Sequence, residues 1–466
     1  MTRFSKLFAN FTHYFTPISH RPFHPISLCR REFVTTPFGQ LNPIMGEKYP
    51  IKYNWIRGVE SLEEYRHGGY HPIMIGDLLC DRYRIADKLG FGGYSTVWLA
   101  EDTHVKQFVA VKVSIADSLP HEIKALKALS ASPSSLHIRP GRGSIPVLLD
   151  EFKVQGPNGE HFCYTVTPAQ CNLREVSFSR LFPLDVARAL AYGLTQAVAY
   201  IHSQGYVHGD IHLSNILVKL PSSFDGLSIK QLYEIYGEPE TVPIIRYDGK
   251  PLVPLNAPAK AVVPLFLGKY AEKFSLSDAH PLLSDFGEAF FPASEARFGK
   301  DCHTPPAFRA PETKFESRTP LSYPLDVWSL AIAIWEIIGM KSIFSTDYVD
   351  EDEIVSQHID VLGPMPPGWW QCWEGRSRFF DEHGCPTESH RENRWPPLEE
   401  SFEIGIQKWR KRVGSEMTEN EKSAFLDLMR RMLQFRPEER LTAEEVLSSE
   451  WMVKWALPAY EQSQKG

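Results

Sequence analysis

Apolar and polar positions fall into three short runs after Cys80, at Tyr83 to Leu89, Thr96 to Glu101 and Phe108 to Ile115, and each reads as a β-strand. In Val109-Ala110-Val111-Lys112-Val113 the alternation has a period of two, which puts the three valines on one face and Lys112 with Ala110 on the other. The first two runs are joined by Gly90-Phe91-Gly92-Gly93-Tyr94-Ser95, a turn whose glycines let backbone N–H groups approach a ligand closely. The period then becomes helical. Ile123, Leu126 and Leu129 share one face of a helix opening at Glu122, and a long amphipathic helix runs from Leu184 to His202, with Gly205 just past its end. Downstream, Leu282-Leu283 is a short apolar strand and Asp326-Val327-Trp328 opens an apolar helix to Ile338. Between Lys219 and Pro281 many prolines break both periods, so that stretch reads as largely irregular.

Composition narrows the class. The 466 residues are 43% apolar and 23% charged, ordinary values for a globular protein with a large core. A net charge of −7 argues against a general nucleic-acid binder, whose phosphate contacts call for a basic surface. The seven cysteines stand singly with no pair at metal-ligand spacing, which suggests a reducing compartment and no structural zinc. No run of eighteen apolar residues exists, so no membrane span is expected. The first thirty-three residues carry Arg3, Lys6, Arg21, Arg30 and Arg31, with no acid before Glu32, a bias shared by mitochondrial transit peptides. Four prolines from Pro17 to Pro37 oppose a long amphipathic helix there, and a disordered tail is the other reading.

The chemistry concentrates in His208-Gly209-Asp210-Ile211-His212-Leu213-Ser214-Asn215 and, further on, Asp285-Phe286-Gly287. Transfer of a γ-phosphoryl group needs a group to position the incoming hydroxyl, an amide and a carboxylate to hold Mg²⁺, and a lysine to steady the nucleotide phosphates. Asp210, Asn215, Asp285 and Lys112 supply that set. A glycine-rich turn alone is usually a plain hairpin, but Lys112 follows this one at nucleotide-binding spacing. Glu122 is either a first-turn acid favoured by the helix dipole or the partner that aligns Lys112. Only ten positions separate the two, so the helix must be short or entered abruptly. His208 reads as a buried scaffold histidine. Ala310-Pro311-Glu312 and Arg436-Pro437-Glu438-Glu439-Arg440 suggest a buried Glu312–Arg440 pair, because an unpaired buried charge is costly.

In this order the motifs resemble the eukaryotic protein kinases over residues 83 to 452, and more narrowly the SR-protein kinases, a family of serine/threonine kinases. The narrower resemblance rests on Tyr65-Arg66-His67-Gly68-Gly69-Tyr70-His71-Pro72, on Ile75-Gly76-Asp77, on Ser95-Thr96-Val97-Trp98-Leu99, and on an insertion of about sixty residues before the Asp285 triplet. It implies an α+β, two-lobed fold with a mainly β small lobe at 83–166 and a mainly α large lobe at 170–452 that carries a spacer-like insert at 219–281. A basic tail at 1–50, an extension at 51–82 and a short tail at 453–466 flank that domain. ATP and Mg²⁺ are the implied cofactors. Leu89, Gly90, Phe91, Gly92, Gly93, Tyr94, Ser95, Val97, Ala110 and Lys112 would line the nucleotide site, Asn215 and Asp285 would hold metal, and Asp210, His212, Lys112 and Glu122 would serve catalysis.

The family binds Arg/Ser-rich peptides in an acidic groove, for which the matching stretch is Asp350-Glu351-Asp352-Glu353 with Asp360 beyond it. Such a cluster is otherwise a solvated helix start. A monomer is expected in the cytoplasm and nucleus with a link to mRNA processing, or in mitochondria if the basic tail targets it there. Three departures stand out: His212 replaces the usual lysine two residues after the catalytic aspartate, Gly209 replaces arginine or threonine, and Pro305 falls where a threonine is usual, next to Thr304. They motivate a second reading, a pseudokinase scaffold. Gly-Asp-Ile-His-x-x-Asn also resembles small-molecule phosphotransferases, a third reading that Ala310-Pro311-Glu312 disfavours.

Overall fold

A computed structural model describes residues 51–130, 140–177, 181–252, 256–346 and 349–465, so the basic N-terminus and its targeting reading lie outside the described residues. The three sequence-read strands form, β2 (Tyr83–Gly92) and β3 (Ser95–Asp102) slightly longer than their apolar runs and β4 (Gln107–Ser114) shifted by one residue. With β1 (Leu78–Leu79), β5 (Asp150–Gly156) and β6 (Gly159–Val166) they make an antiparallel sheet in the order β1-β2-β3-β4-β6-β5. Val109, Val111 and Val113 pack together with Ile85, Trp98 and Cys163, as the alternation requires. Full burial of each such side chain contributes roughly 1.5–3 kcal/mol. Helix α1 (His121–Ser130) follows β4 after a short connection and turns Ile123, Leu126 and Leu129 inward.

The rest of the chain is mainly helical around two long elements. Helix α2 (Leu184–Ser203) buries nearly its whole length, and its partner, the apolar helix opening before Asp326, is buried from Leu325 to Gly339. A helix apolar all round belongs at the centre of a core. The two helices pack on each other, and a three-stranded sheet of β7 (Ala169–Asn172), β8 (Ile216–Lys219) and β11 (Pro281–Leu283), in the order β11-β8-β7, meets α2 through β11.

Most of the insert is irregular, as its prolines imply, but it carries a short helix and a strand pair. Ser228 and Gln231 form a capping box that starts helix α3 (Ile229–Tyr236), and β9 (Thr241–Pro243) pairs with β10 (Lys260–Val262). Leu232 is fully buried with Phe224, Phe108, Leu99 and Ala86, so the insert is packed onto the small-lobe sheet. Eight residues of helix among prolines are too few for a period to stand out. The third long helix-forming pattern becomes α4 (Pro324–Gly339), and the acidic run opens α5 (Glu351–Leu362).

Candidate active site

Two clusters meet where the sheet faces the helical part. In the first, Lys112 on β4 puts its Nζ 2.7 Å from Glu122 Oε2 on α1 and 3.1 Å from Asp285 Oδ1. The ten-residue interval is therefore bridged by a short, abruptly entered helix, and Glu122 is the partner of Lys112. The other oxygen of Glu122 accepts a hydrogen bond from Phe286 N at 3.2 Å, tying α1 to the segment that carries Asp285. Burial alone would discharge Lys112, yet the Asp285 and Glu122 carboxylates hold its ammonium well above the usual lysine range. The Lys112 charge, helped by its hydrogen bond and opposed by burial, keeps Asp285 below the usual carboxylate range. Asp285 takes a left-handed φ of 62° and leaves its side chain 49% exposed, so the carboxylate is fixed but reachable.

In the second cluster Asn215 Nδ2 donates to Asp210 Oδ2 at 3.0 Å and to the Asp210 carbonyl at 2.9 Å, while His212 Nε2 lies 3.3 Å from the same carboxylate. Asp210 Oδ1 is buried and has no hydrogen-bond partner among the described residues. The two clusters are tied by the β8–β11 register, in which Ile216 pairs with Leu283. That pairing sets Asn215, just before β8, beside Ser284, whose N and Oγ both donate to the Asn215 carbonyl, at 2.8 and 2.9 Å. His208 is fully buried: Asp210 N donates to its Nδ1 at 3.2 Å, so Nε2 carries the proton and donates to Ser284 O at 3.1 Å.

Further residues fix the loop that carries Asp210, and their roles were not visible in the motifs. Asp326 accepts from His208 N at 2.7 Å, Gly209 N at 2.8 Å and His202 Nε2 at 2.9 Å. Burial works against its charge, but His202 and His208 keep it below the usual range. Thr304 Oγ1 donates to the Gly209 carbonyl at 2.6 Å, so the threonine beside Pro305 anchors the catalytic loop. Gly209 adopts φ 78°, where a Cβ would meet Glu288 O at 2.8 Å. A larger residue is excluded there, which accounts for that departure.

Above these clusters the β2–β3 hairpin pairs Gly90 with Val97, Phe91 with Thr96 and Gly92 with Ser95, turning through Gly93 and Tyr94. A Cβ on Gly90, Gly92 or Gly93 would meet nothing within 4 Å, so the turn borders open space. Leu89 precedes the turn on β2, Val97 pairs with Lys112 and Leu99 with Ala110. The arrangement fits a nucleotide with a divalent cation: glycine backbone for phosphates, and hard oxygen donors on Asp285 and Asn215 for Mg²⁺.

The acidic run is a correction. Asp360 is not on the surface: it is 3% exposed and accepts from Arg394 Nε at 2.7 Å and Trp395 N at 3.1 Å, with His390 Nε2 3.1 Å away. Its neighbours on α5 are also engaged. Asp350 and Glu353 cap the helix reciprocally at 2.9 Å, and Asp350 pairs with Arg378 at 2.8 Å. Glu351 pairs with Arg309 at 2.8 Å, and Asp352 binds Lys314 at 2.9 Å and Trp373 Nε1 at 2.8 Å. By contrast, the Glu312–Arg440 pair forms as expected, bidentate at 2.6 and 2.7 Å and buried.

Comparison with known proteins agrees with this geometry. The protein kinase domain model matches residues 83–230 and 274–452. A serine/threonine protein kinase of Aspergillus fumigatus is 26% identical over 93% of this chain and 99% of its own length. Protein kinase dsk1 of Schizosaccharomyces pombe is 25% identical over 86% of each chain, and human SRSF protein kinase 3 is 33% identical over 34% of this chain and 29% of its own. A solved kinase-domain crystal structure superposes with a TM-score of 0.56 at 18% identity, covering 82% of this chain and 98% of that one, and so shares the fold. The fold and the site define a phosphotransferase with the two-lobed architecture. The chain belongs to the protein kinase family, and among its members it resembles the serine/threonine kinases related to the SR-protein kinases.

Proposed function

We propose that this chain uses ATP and Mg²⁺ to phosphorylate serine or threonine on Arg/Ser-rich proteins. The observation that carries the reading is Lys112 held between Glu122 and Asp285, an arrangement that fixes a cation next to a reachable carboxylate. In this reading Lys112 contacts the α- and β-phosphates, oriented by Glu122, and the backbone of the 90–95 turn covers them. Asn215 and Asp285 hold Mg²⁺, which when bound neutralises charge on the phosphates. Asp210 orients the substrate hydroxyl through its carboxylate, which Asn215 holds in place. His212 stands beside Asp210, its Nε2 3.3 Å from that carboxylate, and serves catalysis from there.

The substrate class rests on relatives named as SRSF protein kinases and on the family resemblance of residues 65–72 and 75–77. Action as a monomer in the cytoplasm and nucleus, with a link to mRNA processing, belongs to the same proposal. The docking face first assigned to Asp350, Glu351, Asp352, Glu353 and Asp360 is not part of this proposal, because Asp360 is buried and the other four acids are engaged by Arg378, Arg309, Lys314 and the helix end.

The test is transfer from radiolabelled ATP to an Arg/Ser peptide, with casein and a metabolite panel alongside and Asp210→Ala as the blank. Label on the Arg/Ser peptide well above the blank is expected. Label no higher than the blank would leave only a scaffold.

A further inference from the structure

The glycine-rich turn is braced from outside the catalytic domain by residues 60–70. Tyr70, 3% exposed, donates its hydroxyl to the carbonyl of Gly92 at 2.7 Å. Ten residues earlier, Glu60 accepts from Tyr65 Oη at 2.5 Å and from Lys88 Nζ, and the Glu60 and Lys88 side chains are 1% and 0% exposed. Lys88 lies on β2 immediately before the turn. Its ammonium is 5.6 Å from the centroid of Phe91, inside the turn, and 5.0 Å from that of Trp98. A buried ion pair of this kind is an indifferent source of stability but a strong geometric constraint.

The same segment reaches the element that carries Glu122. Ala116 N donates to the Gly69 carbonyl at 3.1 Å and Asp117 N to the Gly68 carbonyl at 2.9 Å, both in the connection between β4 and α1. A Cβ on Gly69 would lie 1.9 Å from the Glu64 carbonyl, so the loop is too tight for another residue. Asn158, fully buried, holds the loop from the other side through Nδ2 to the Tyr70 carbonyl at 2.7 Å. Meanwhile β2 has register breaks between Ile85 and Asp87 and between Lys88 and Gly90, which take backbone groups out of the ladder. The insert fills two of those vacated positions: Tyr233 Oη donates to the Ala86 carbonyl at 2.8 Å, and Leu265 N to the Lys88 carbonyl at 2.7 Å.

We infer that Tyr70 is a positioning residue for the nucleotide: its bond to the Gly92 carbonyl holds the glycine-rich turn at the height at which its backbone meets the phosphates. It touches no reacting atom and acts through Gly92. A turn bordered by open space and built of glycines has many conformations, and fixing one of them before ATP arrives lowers the entropic cost of binding. Tyr65, itself held by Glu60, packs against the ring of Tyr70, with the two centroids 5.6 Å apart. The inference rests on the reading of the site as one for ATP.

The test compares wild type, Tyr70→Phe and Tyr233→Phe in the full chain. Each variant loses one hydroxyl and keeps its ring. For Tyr70→Phe we expect the KM for ATP to rise about three- to tenfold, the loss of one ordinary hydrogen bond. The KM for the Arg/Ser peptide should not change, nor the melting temperature by more than a few degrees. Tyr233→Phe, which removes a bond to β2 away from the turn, should raise the KM for ATP less. Direct titration with a non-hydrolysable ATP analogue gives a readout independent of turnover. If wild type binds the analogue and Tyr70→Phe binds it equally well, the positioning role is wrong. A fall in melting temperature with unchanged analogue affinity would make Tyr70 merely structural and also overturn it. If wild type itself fails to bind the analogue, the ATP reading fails instead.

Discussion

The Lys112–Glu122–Asp285 cluster and the acidic run on α5 are both dense in charge, and they use it in opposite ways. At the first, one cation is shared by two carboxylates, Asp285 stays half exposed, and Asp210 has an oxygen without a hydrogen-bond partner among the described residues. On α5 the acids are committed: Asp350 and Glu353 to the helix end, Glu351 and Asp352 to Arg309 and Lys314, and Asp360 to Arg394 in the interior. A count of acids measures formal charge, whereas recognition of a ligand depends on acceptors still available. Sites that bind cations keep acceptors incompletely satisfied, and structural carboxylates do not.

The sharpest way to break the comparison is Asp285→Asn. The neutral amide no longer attracts a divalent cation, so stabilisation by Mg²⁺ and ATP, about 2.7 kcal/mol at a hundredfold excess over Kd, should disappear in a thermal-shift assay. An unchanged shift would move the metal site elsewhere. Next comes Asp360→Asn, which weakens hydrogen bonds from Arg394 and Trp395 to a buried charge and should cost about 1.5–3 kcal/mol of stability in urea titration. Peptide affinity of the folded fraction should stay the same. The opposite outcome, normal stability with lost peptide binding, would restore Asp360 to a docking role.

A smaller effect comes from His358, on the inward face of the same helix between Trp328 and Phe344. Burial, reinforced by Arg440, pushes its imidazole down to about 3 from 6.5. The unfolded chain therefore takes up a proton near pH 6.5 that the folded chain refuses until about pH 3. Stability must fall as pH drops through that window, by roughly 1 kcal/mol at pH 5.5 from this group. His358→Leu should flatten that part of the stability profile, and an unaltered slope would show that other groups set it. Least of all should Glu351→Gln matter: with Glu351 already paired, Arg/Ser peptide affinity should change less than about threefold at low salt and not at all at high salt. A tenfold loss would make Glu351 a docking acid despite its partner.

What could be read ahead of the structure follows from range. The valines of β4 and the face of α1 are set by near neighbours, and the Asp210, Asn215 and Asp285 motifs are contiguous, so both were legible. Asp326 looked like the opening of an apolar helix because the groups it binds, His208 and Gly209, lie more than a hundred residues upstream. Asp360 looked available because its cation, Arg394, comes from a separate segment. The fold of the insert was hidden for another reason: α3 has eight residues, too short a span for periodicity, and its single fully committed core residue is Leu232.

Asp326 also sets an order of events. As the chain leaves the ribosome, His208, Gly209 and Asp210 emerge well before the carboxylate that captures their N–H groups. At about 5–20 residues per second the delay is several seconds or more. During that interval the small-lobe sheet is already complete in sequence, while the catalytic loop lacks the carboxylate that takes its N–H groups. A polypeptide truncated before Asp326 would keep the Thr304 contact to Gly209 and lose this one, so its catalytic loop would be held from one side alone.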